Sequence, residues 1–198
     1  MRFSTATPRV ALIALLAAAP IVAAPDHAQA QDASVEAQWS SEGRLHAYAR
    51  DLMGPGALVG TATAATIDHM RTDPYDWGDG GEGFARRAAS HAGNLVVEQS
   101  VRHGLAVALG RSTRYQRCDC NGFTARIGHA VRETFTDRDR ENRRAVSLPR
   151  LAGVAAAAVA QPLWRPDVKM SDAALTAGST LVFEAAGNAV KELLGWPR

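Results

Sequence analysis

Long segments of helical periodicity, most of them ended by glycine or proline, constrain the fold of this 198-residue chain more than any other feature. Within them apolar residues recur at the three- and four-residue spacing of an α-helix. No segment alternates apolar and polar residues for long enough to predict a β-strand. The sequence therefore predicts an all-α fold, a compact bundle of about five to six helices.

Six segments are predicted as helices, and their ends carry recognisable capping residues. Ser40 and Ser147 are predicted N-caps, and Asp79 with Glu82 has the spacing of a capping box. The charged segment TDRDRENRR, residues 136–144, is predicted as a loop. The predicted helices cover residues 41–53, 57–70, 80–109, 123–135, 148–160 and 173–195.

The first thirty residues have the composition of a signal peptide. Two arginines precede the apolar run Val10–Ala24, and Ala28 and Ala30 are small residues where a signal peptidase reads. The run is short for a membrane span, although a retained anchor is the alternative. We expect cleavage after Ala30 and export to the periplasm or the outer membrane.

The exported remainder suits one domain with its own core. We expect a flexible segment over residues 31–38 and a single helical domain over residues 39–196. The formal net charge of +2 for the whole chain gives no electrostatic case for nucleic-acid binding. Phosphate-binding loops, G-x-S-x-G and H-E-x-x-H are absent from the sequence, and no glycine fingerprint for a dinucleotide follows a predicted strand, so no cofactor is predicted.

Small residues recur at a spacing of four on several predicted helices. Such pairs make flat faces on which another helix, a membrane or a partner protein can lie closely. The alternative is chance pairing in a chain rich in alanine. We expect these faces to contact the envelope membrane or another envelope protein. The pairs are Ala88 and Ala92, Gly104 and Ala108, Gly153 and Ala157, and Ala185 and Ala189.

Polar residues also align on two predicted helices. At about 100° per residue, Arg87, His91, Asn94 and Glu98 fall within about 60° of one another, and Arg102 extends this row. The last helix carries a second row, composed of Thr180, Glu184, Asn188 and Lys191. The rows are interpreted either as solvated faces or as one interhelical network, in which Glu184 would contact Arg87 or His91.

A catalytic interpretation of the same residues defines the alternative function. His91, Glu98, His129 and Glu184 could supply an imidazole base and a carboxylate that orients it, as in a periplasmic hydrolase. The leading prediction is a non-enzymatic helical protein of the cell envelope with a structural or interaction role.

A set of short patterns recurs between Asp73 and Leu194. They are Trp77, Gly80, Gly83, Phe84 and Arg87 (W-x-x-G-x-x-G-F-x-x-R), Arg114 and Tyr115 (R-Y), Arg126, Gly128, His129 and Ala130 (R-x-G-H-A), Trp164 and Pro166 after a helix rich in glycine and alanine, and Asn188 and Glu192 (N-x-x-x-E). As a set they resemble a family of small secreted helical proteins of Gram-negative bacteria, whose function is uncharacterised. The resemblance implies a helical, exported protein and implies no activity. The segment Cys118-Asp119-Cys120 is not part of its pattern.

Cys118 and Cys120 are the two cysteines of the chain. In an oxidising compartment thiols two residues apart can close a small disulfide ring, and this local staple is the favoured interpretation. The alternatives are redox activity, a metal site completed by His129, intermolecular pairing, or two free thiols. The spacing of acids in the 73–82 loop is explained by turns and helix ends, so no metal is predicted.

Overall fold

The structure is a computed structural model, and it describes residues 39–194. The described chain is mostly helical, which confirms the predicted all-α class and the helical bundle. The predicted signal peptide, the segment 31–38 and the end of the last predicted helix lie outside the described residues. The helices are α1 Ser41–Met53, α2 Pro55–Met70, α3 Gly81–Ala108, α4 Phe123–Phe135, α5 Leu148–Ala160 and α6 Ala173–Leu194.

The predicted loop at residues 136–144 is wrong, because it contains most of a short antiparallel hairpin. Strand β1, Thr136–Arg138, pairs with strand β2, Arg144–Val146. Ion pairs stabilise the hairpin: Glu133 at the end of α4 accepts from Arg138 at 3.1 Å and lies 2.6 Å from Arg144. Three single-turn 3₁₀ helices complete the described elements: Tyr75–Trp77, Gln161–Leu163 and Met170–Asp172.

One of the three predicted caps forms as expected. The side chain of Ser40 accepts a 2.9 Å hydrogen bond from the backbone nitrogen of Gly43. The predicted capping box is wrong, since α3 starts from Gly80 without a side-chain cap and Glu82 pairs with Arg86 instead. Ser147 precedes α5 but makes no side-chain capping bond.

The long helix α3 packs against α5, α2 and α1, while α6 packs against α4 and α5. A glycine brings α3 and α5 together: a Cβ added at Gly153 would lie 2.6 Å from the carbonyl oxygen of Glu98 and 3.1 Å from the Cβ of Arg102. Gly153 and Ala157 are the one predicted small-residue pair in which both members are buried. By contrast, Gly104 and Ala108 are both exposed.

Polar side chains occupy the interior of this bundle, and large apolar side chains lie outside. Among residues 39–194 the buried apolar side chains are alanines, Val154 and two prolines, Pro74 and Pro149. The two largest fully buried side chains are those of Arg87 and Glu192, each 1% exposed. Large apolar residues such as Leu175 and Phe183 are 78% and 72% exposed. The distribution is the reverse of that expected for a globular protein in water.

Candidate functional site

Helix α6 shows the reversed distribution most clearly. Its inward side carries Glu184, Asn188 and Glu192, of which the last two are buried. At about 100° per residue, Leu175 and Val182 lie on the opposite side of the helix, where both are exposed. The helix therefore presents a polar face to the bundle and an apolar face outward.

Glu184 is the meeting point of a buried ionic cluster between α3, α5 and α6. Its two carboxylate oxygens accept from Arg102 at 3.2 Å and from Arg150 at 3.0 Å. Arg102 also donates to the carbonyl oxygen of Thr113 at 3.2 Å. Burial and the neighbouring Arg102 lower the pKa of Arg150. Two buried guanidinium groups thus share one carboxylate, whose side chain is 23% exposed.

Glu98 extends this cluster with a second carboxyl group. Burial, and then the charge of Glu184, raise the pKa of Glu98 to about 7, against the opposing effect of Arg102 and Arg150. The side chain of Gln99 donates to it at 3.1 Å. Glu98 therefore changes charge near neutral pH inside the bundle.

Arg87 has a different role from the one predicted for it. It donates to the carbonyl oxygens of Asp73, Pro74 and Gly78, each at 2.8 Å, and lies 3.2 Å from His69 Nδ1. The expected contact between Arg87 and Glu184 is not found among the described residues. Arg87 instead donates to backbone carbonyls of the loop between α2 and α3. The sequence does not reveal this role, because every residue carries a backbone carbonyl.

His91 likewise does not meet Glu184 in the described part of the chain. Its Nε2 atom lies 2.8 Å from Asp68 of α2. Asp68 is also 3.7 Å from Arg165, which donates to Asp73 at 3.1 Å and to Asp167 at 2.8 Å. His91 thus belongs to a second ionic group, which joins α2, α3 and the segment after α5.

His129 and the cysteines meet a third group around Glu192. Glu192 Oε1 accepts from the hydroxyl of Tyr115 at 2.7 Å and from the backbone nitrogen of Cys118 at 2.9 Å. His129 Nε2 lies 4.0 Å from the same oxygen and 2.7 Å from the carbonyl oxygen of Gln116. A disulfide joins Cys118 to Cys120, whose Cα atoms are 5.1 Å apart.

The remaining predicted network residues separate from one another. The amide of Asn188 donates to Thr134 at 3.0 Å and its oxygen accepts from Lys191 at 3.4 Å, linking α6 to α4. The side-chain oxygen of Asn94 meets no hydrogen-bond donor among residues 39–194. Of the predicted polar rows, the structure brings together Glu98, Arg102 and Glu184, and it adds Arg150.

The four residues of the catalytic alternative do not gather at one place. Glu98 and Glu184 lie in the same cluster, whereas His91 bonds to Asp68 and His129 bonds to a backbone carbonyl. Within the described residues no group of three or more His, Cys, Asp or Glu side chains could hold a metal ion.

A cavity of about 620 Å³, open to solvent on one side, lies between α1, the second half of α3 and the segment that follows α3. Arg44, Arg111 and Arg114 line it together with Leu45 and Val107. Sequence patterns gave no indication of this cavity, because its residues come from segments far apart along the chain. It is separate from the Glu184 cluster in its lining residues.

The exposed apolar surface extends over several helices besides α6. Leu58 and Val59 of α2 are more than half exposed, as are Leu45 of α1 and Val159 of α5. None of the helices among residues 39–194 is both long enough and apolar enough to cross a membrane. Comparison with protein-family models, with curated proteins and with solved structures finds no match to this chain.

Proposed function

We propose that this chain is a non-enzymatic helical protein of the cell envelope, which lies against the membrane through the apolar outer faces of its helices. The observation that carries the proposal is the orientation of α6. Leu175, Val182 and Phe183 are 78%, 68% and 72% exposed, while Glu184, Asn188 and Glu192 point into the bundle.

The energetics of burial favour an apolar surrounding for such a bundle. Burial of apolar surface stabilises a protein by roughly 25 cal/mol for each Å² removed from water, and an exposed apolar side chain lacks this stabilisation. Interior ionic groups are also costly, and in proteins surrounded by lipid they face the inside of the bundle and pair there. The Glu184 cluster has this arrangement, with Arg102 and Arg150 as partners.

The spread of the apolar surface favours a membrane over a single protein partner. Exposed apolar residues lie on α1, α2, α5 and α6, so they extend beyond one compact patch. Helices with one apolar face can lie in the interfacial plane of a bilayer without crossing it. A partner protein with a wide apolar surface is the other occupant that the test below distinguishes.

The envelope location rests on the sequence. The predicted signal peptide, residues 1–30, directs export, and the resemblance described above is to secreted helical proteins. The hydrolase alternative receives less support, because His91 and His129 are held by different partners.

The proposal is tested by flotation of the purified exported chain with vesicles of phosphatidylethanolamine and phosphatidylglycerol. We expect the wild-type chain to float with the vesicles. The double variant Val182→Glu/Phe183→Glu places two charges on the outer face of α6, and it should remain at the bottom of the gradient.

The matched control is Thr124→Glu, which adds a charge at an exposed position in the first turn of α4. It should float like the wild type, and circular dichroism should show equal helicity for all three chains. Flotation of the α6 variant, or failure of the wild type to float, would contradict the proposed membrane surface. Capture of a soluble envelope protein in place of lipid would identify a protein partner instead.

A further inference from the structure

The cavity between α1 and α3 combines an apolar wall with a cationic lining. Leu45 of α1 and Ala106 and Val107 of α3 contribute the apolar part. Its volume of about 620 Å³ is within the range of small-molecule sites. Gly104 also lines the cavity, and no atom lies within 4 Å of the place where a Cβ would be added there.

Three of the four lining arginines, Arg44, Arg111 and Arg114, come from the start of α1 and from the segment after α3. Arg44 lies over the ring of Trp39, which Arg140 of the hairpin turn also contacts. The same hairpin is bridged to Ser112, in the segment that carries Arg111 and Arg114. Further along α1, Tyr48 makes a 2.8 Å hydrogen bond to Ser100 of α3.

Lining residues from the described part of the chain include four arginines and no carboxylate. Part of this positive charge is already balanced: Asp51 lies 3.8 Å from Arg50 and 3.0 Å from His103, and Asp137 and Asp139 interact with Arg111 from outside the cavity. The remaining charge at the end near Arg44 is small and positive. It matches an acceptor with one negative charge better than one with two.

We infer that this cavity binds a single-chain amphiphile with a carboxylate head, that is, a fatty acid. The alkyl chain lies along Leu45, Ala106 and Val107, and the carboxylate is held by Arg44. The site is distinct from the outer face of α6 and from the Glu184 cluster. It gives the chain a ligand in addition to a membrane surface.

Isothermal titration calorimetry with decanoate tests the site on the full exported chain. We expect one molecule of decanoate to bind per chain. Gly104→Leu places a side chain in the cavity, where its Cβ meets no atom within 4 Å, and it should weaken decanoate binding by at least about tenfold. Gly60→Leu adds the same side chain to an exposed glycine of α2 that does not line the cavity, and it should bind like the wild type.

The head group is tested with ligands of equal chain length. Decanol should bind at least about tenfold more weakly than decanoate, and Arg44→Gln should lower the affinity for decanoate about tenfold without changing that for decanol. Tighter binding of decyl phosphate than of decanoate would overturn the carboxylate assignment. Equal binding of decanol, or equal binding by Gly104→Leu, would overturn the site.

Failure of this inference is distinguishable from failure of the proposed function. Gly104→Leu should still float with vesicles, because it leaves the outer face of α6 unchanged. Val182→Glu/Phe183→Glu should still bind decanoate in solution. Loss of both properties in either variant would contradict the separation of the two surfaces.

Discussion

Arg150 of α5 and Glu184 of α6 form a 3.0 Å ion pair in the interior of a bundle whose outer helix faces are apolar. Arg102 binds the other oxygen of the same carboxylate at 3.2 Å. Breaking a buried ion pair leaves an uncompensated charge, which costs more than the pair contributes. The packing of α3, α5 and α6 is therefore stabilised by the pairing of Glu184 with two arginines and by the close approach of the α3 and α5 backbones at Gly153.

Glu184→Ala should destabilise the fold by about 3 kcal/mol, since Arg102 and Arg150 would then face each other without their shared carboxylate. Urea unfolding monitored by circular dichroism measures the change. Glu141→Ala is the control, because its pair with Arg143 is exposed and should contribute less than about 1 kcal/mol. Equal midpoints for the two variants would contradict the importance of the cluster.

Glu98 should make stability depend on pH near neutrality. Its pKa of about 7 in the folded chain lies above the ordinary value of 4.5. Between pH 4.5 and 7 the folded chain therefore binds a proton that the unfolded chain has released. Its contribution to the unfolding free energy is fully present below pH 4.5 and is lost as the pH rises to 7. Glu98→Gln should remove this part of the pH dependence of the unfolding free energy. At pH 8 the unfolding free energy of the variant should exceed that of the wild type by up to about 3 kcal/mol. Parallel pH profiles for the two chains would exclude this role.

Gly153→Ala should destabilise the fold by about 2 kcal/mol or more, because the added Cβ meets the backbone of Glu98 and the side chain of Arg102. Gly128→Ala makes the same change on α4, where no atom lies within 4 Å of the new Cβ. That control should be neutral or stabilising by up to about 1 kcal/mol. Thermal unfolding of both variants measures the difference, and its absence would contradict the close packing of α3 on α5.

Tyr115→Phe should cost about 1 to 2 kcal/mol, because it removes a 2.7 Å hydrogen bond to the buried Glu192 carboxylate. Burial and that hydrogen bond both raise the pKa of Tyr115. Tyr75→Phe removes the hydroxyl of a tyrosine that is 86% exposed, and it should leave the unfolding free energy unchanged. A similar small effect for both would show that the Glu192 group is not stabilising.

The sequence could predict the helices because their ends carry glycine, proline and capping signals, as at Ser40 and Gly54. The hairpin escaped prediction because each strand has three residues, and a charged segment of that length carries no alternating pattern. Its stability depends on Glu133, a neighbour that no local pattern reveals.

The polar rows were recognisable by helical spacing, but their partners were not. Spacing places Arg87 and Glu98 on one side of α3, yet helix packing decides that Arg87 reaches backbone carbonyls and that Glu98 lies beside Glu184. Arg150 is the one charged residue of the apolar segment LPRLAGVAAAAVA, so it belongs to no polar row that helical spacing could reveal. The polar side chains face inward because their partners lie on neighbouring helices, and these contacts between helices are not visible in the sequence.

Cell fractionation tests the central claim most directly. Membranes of cells that express the full chain are washed with alkaline carbonate, and the intact mass of the retained protein is measured. We predict that the protein remains in the washed membrane pellet and that its mass corresponds to a chain beginning at Gln31. Release of the whole protein into the soluble periplasmic fraction would contradict the proposed association of the apolar helix faces with a membrane.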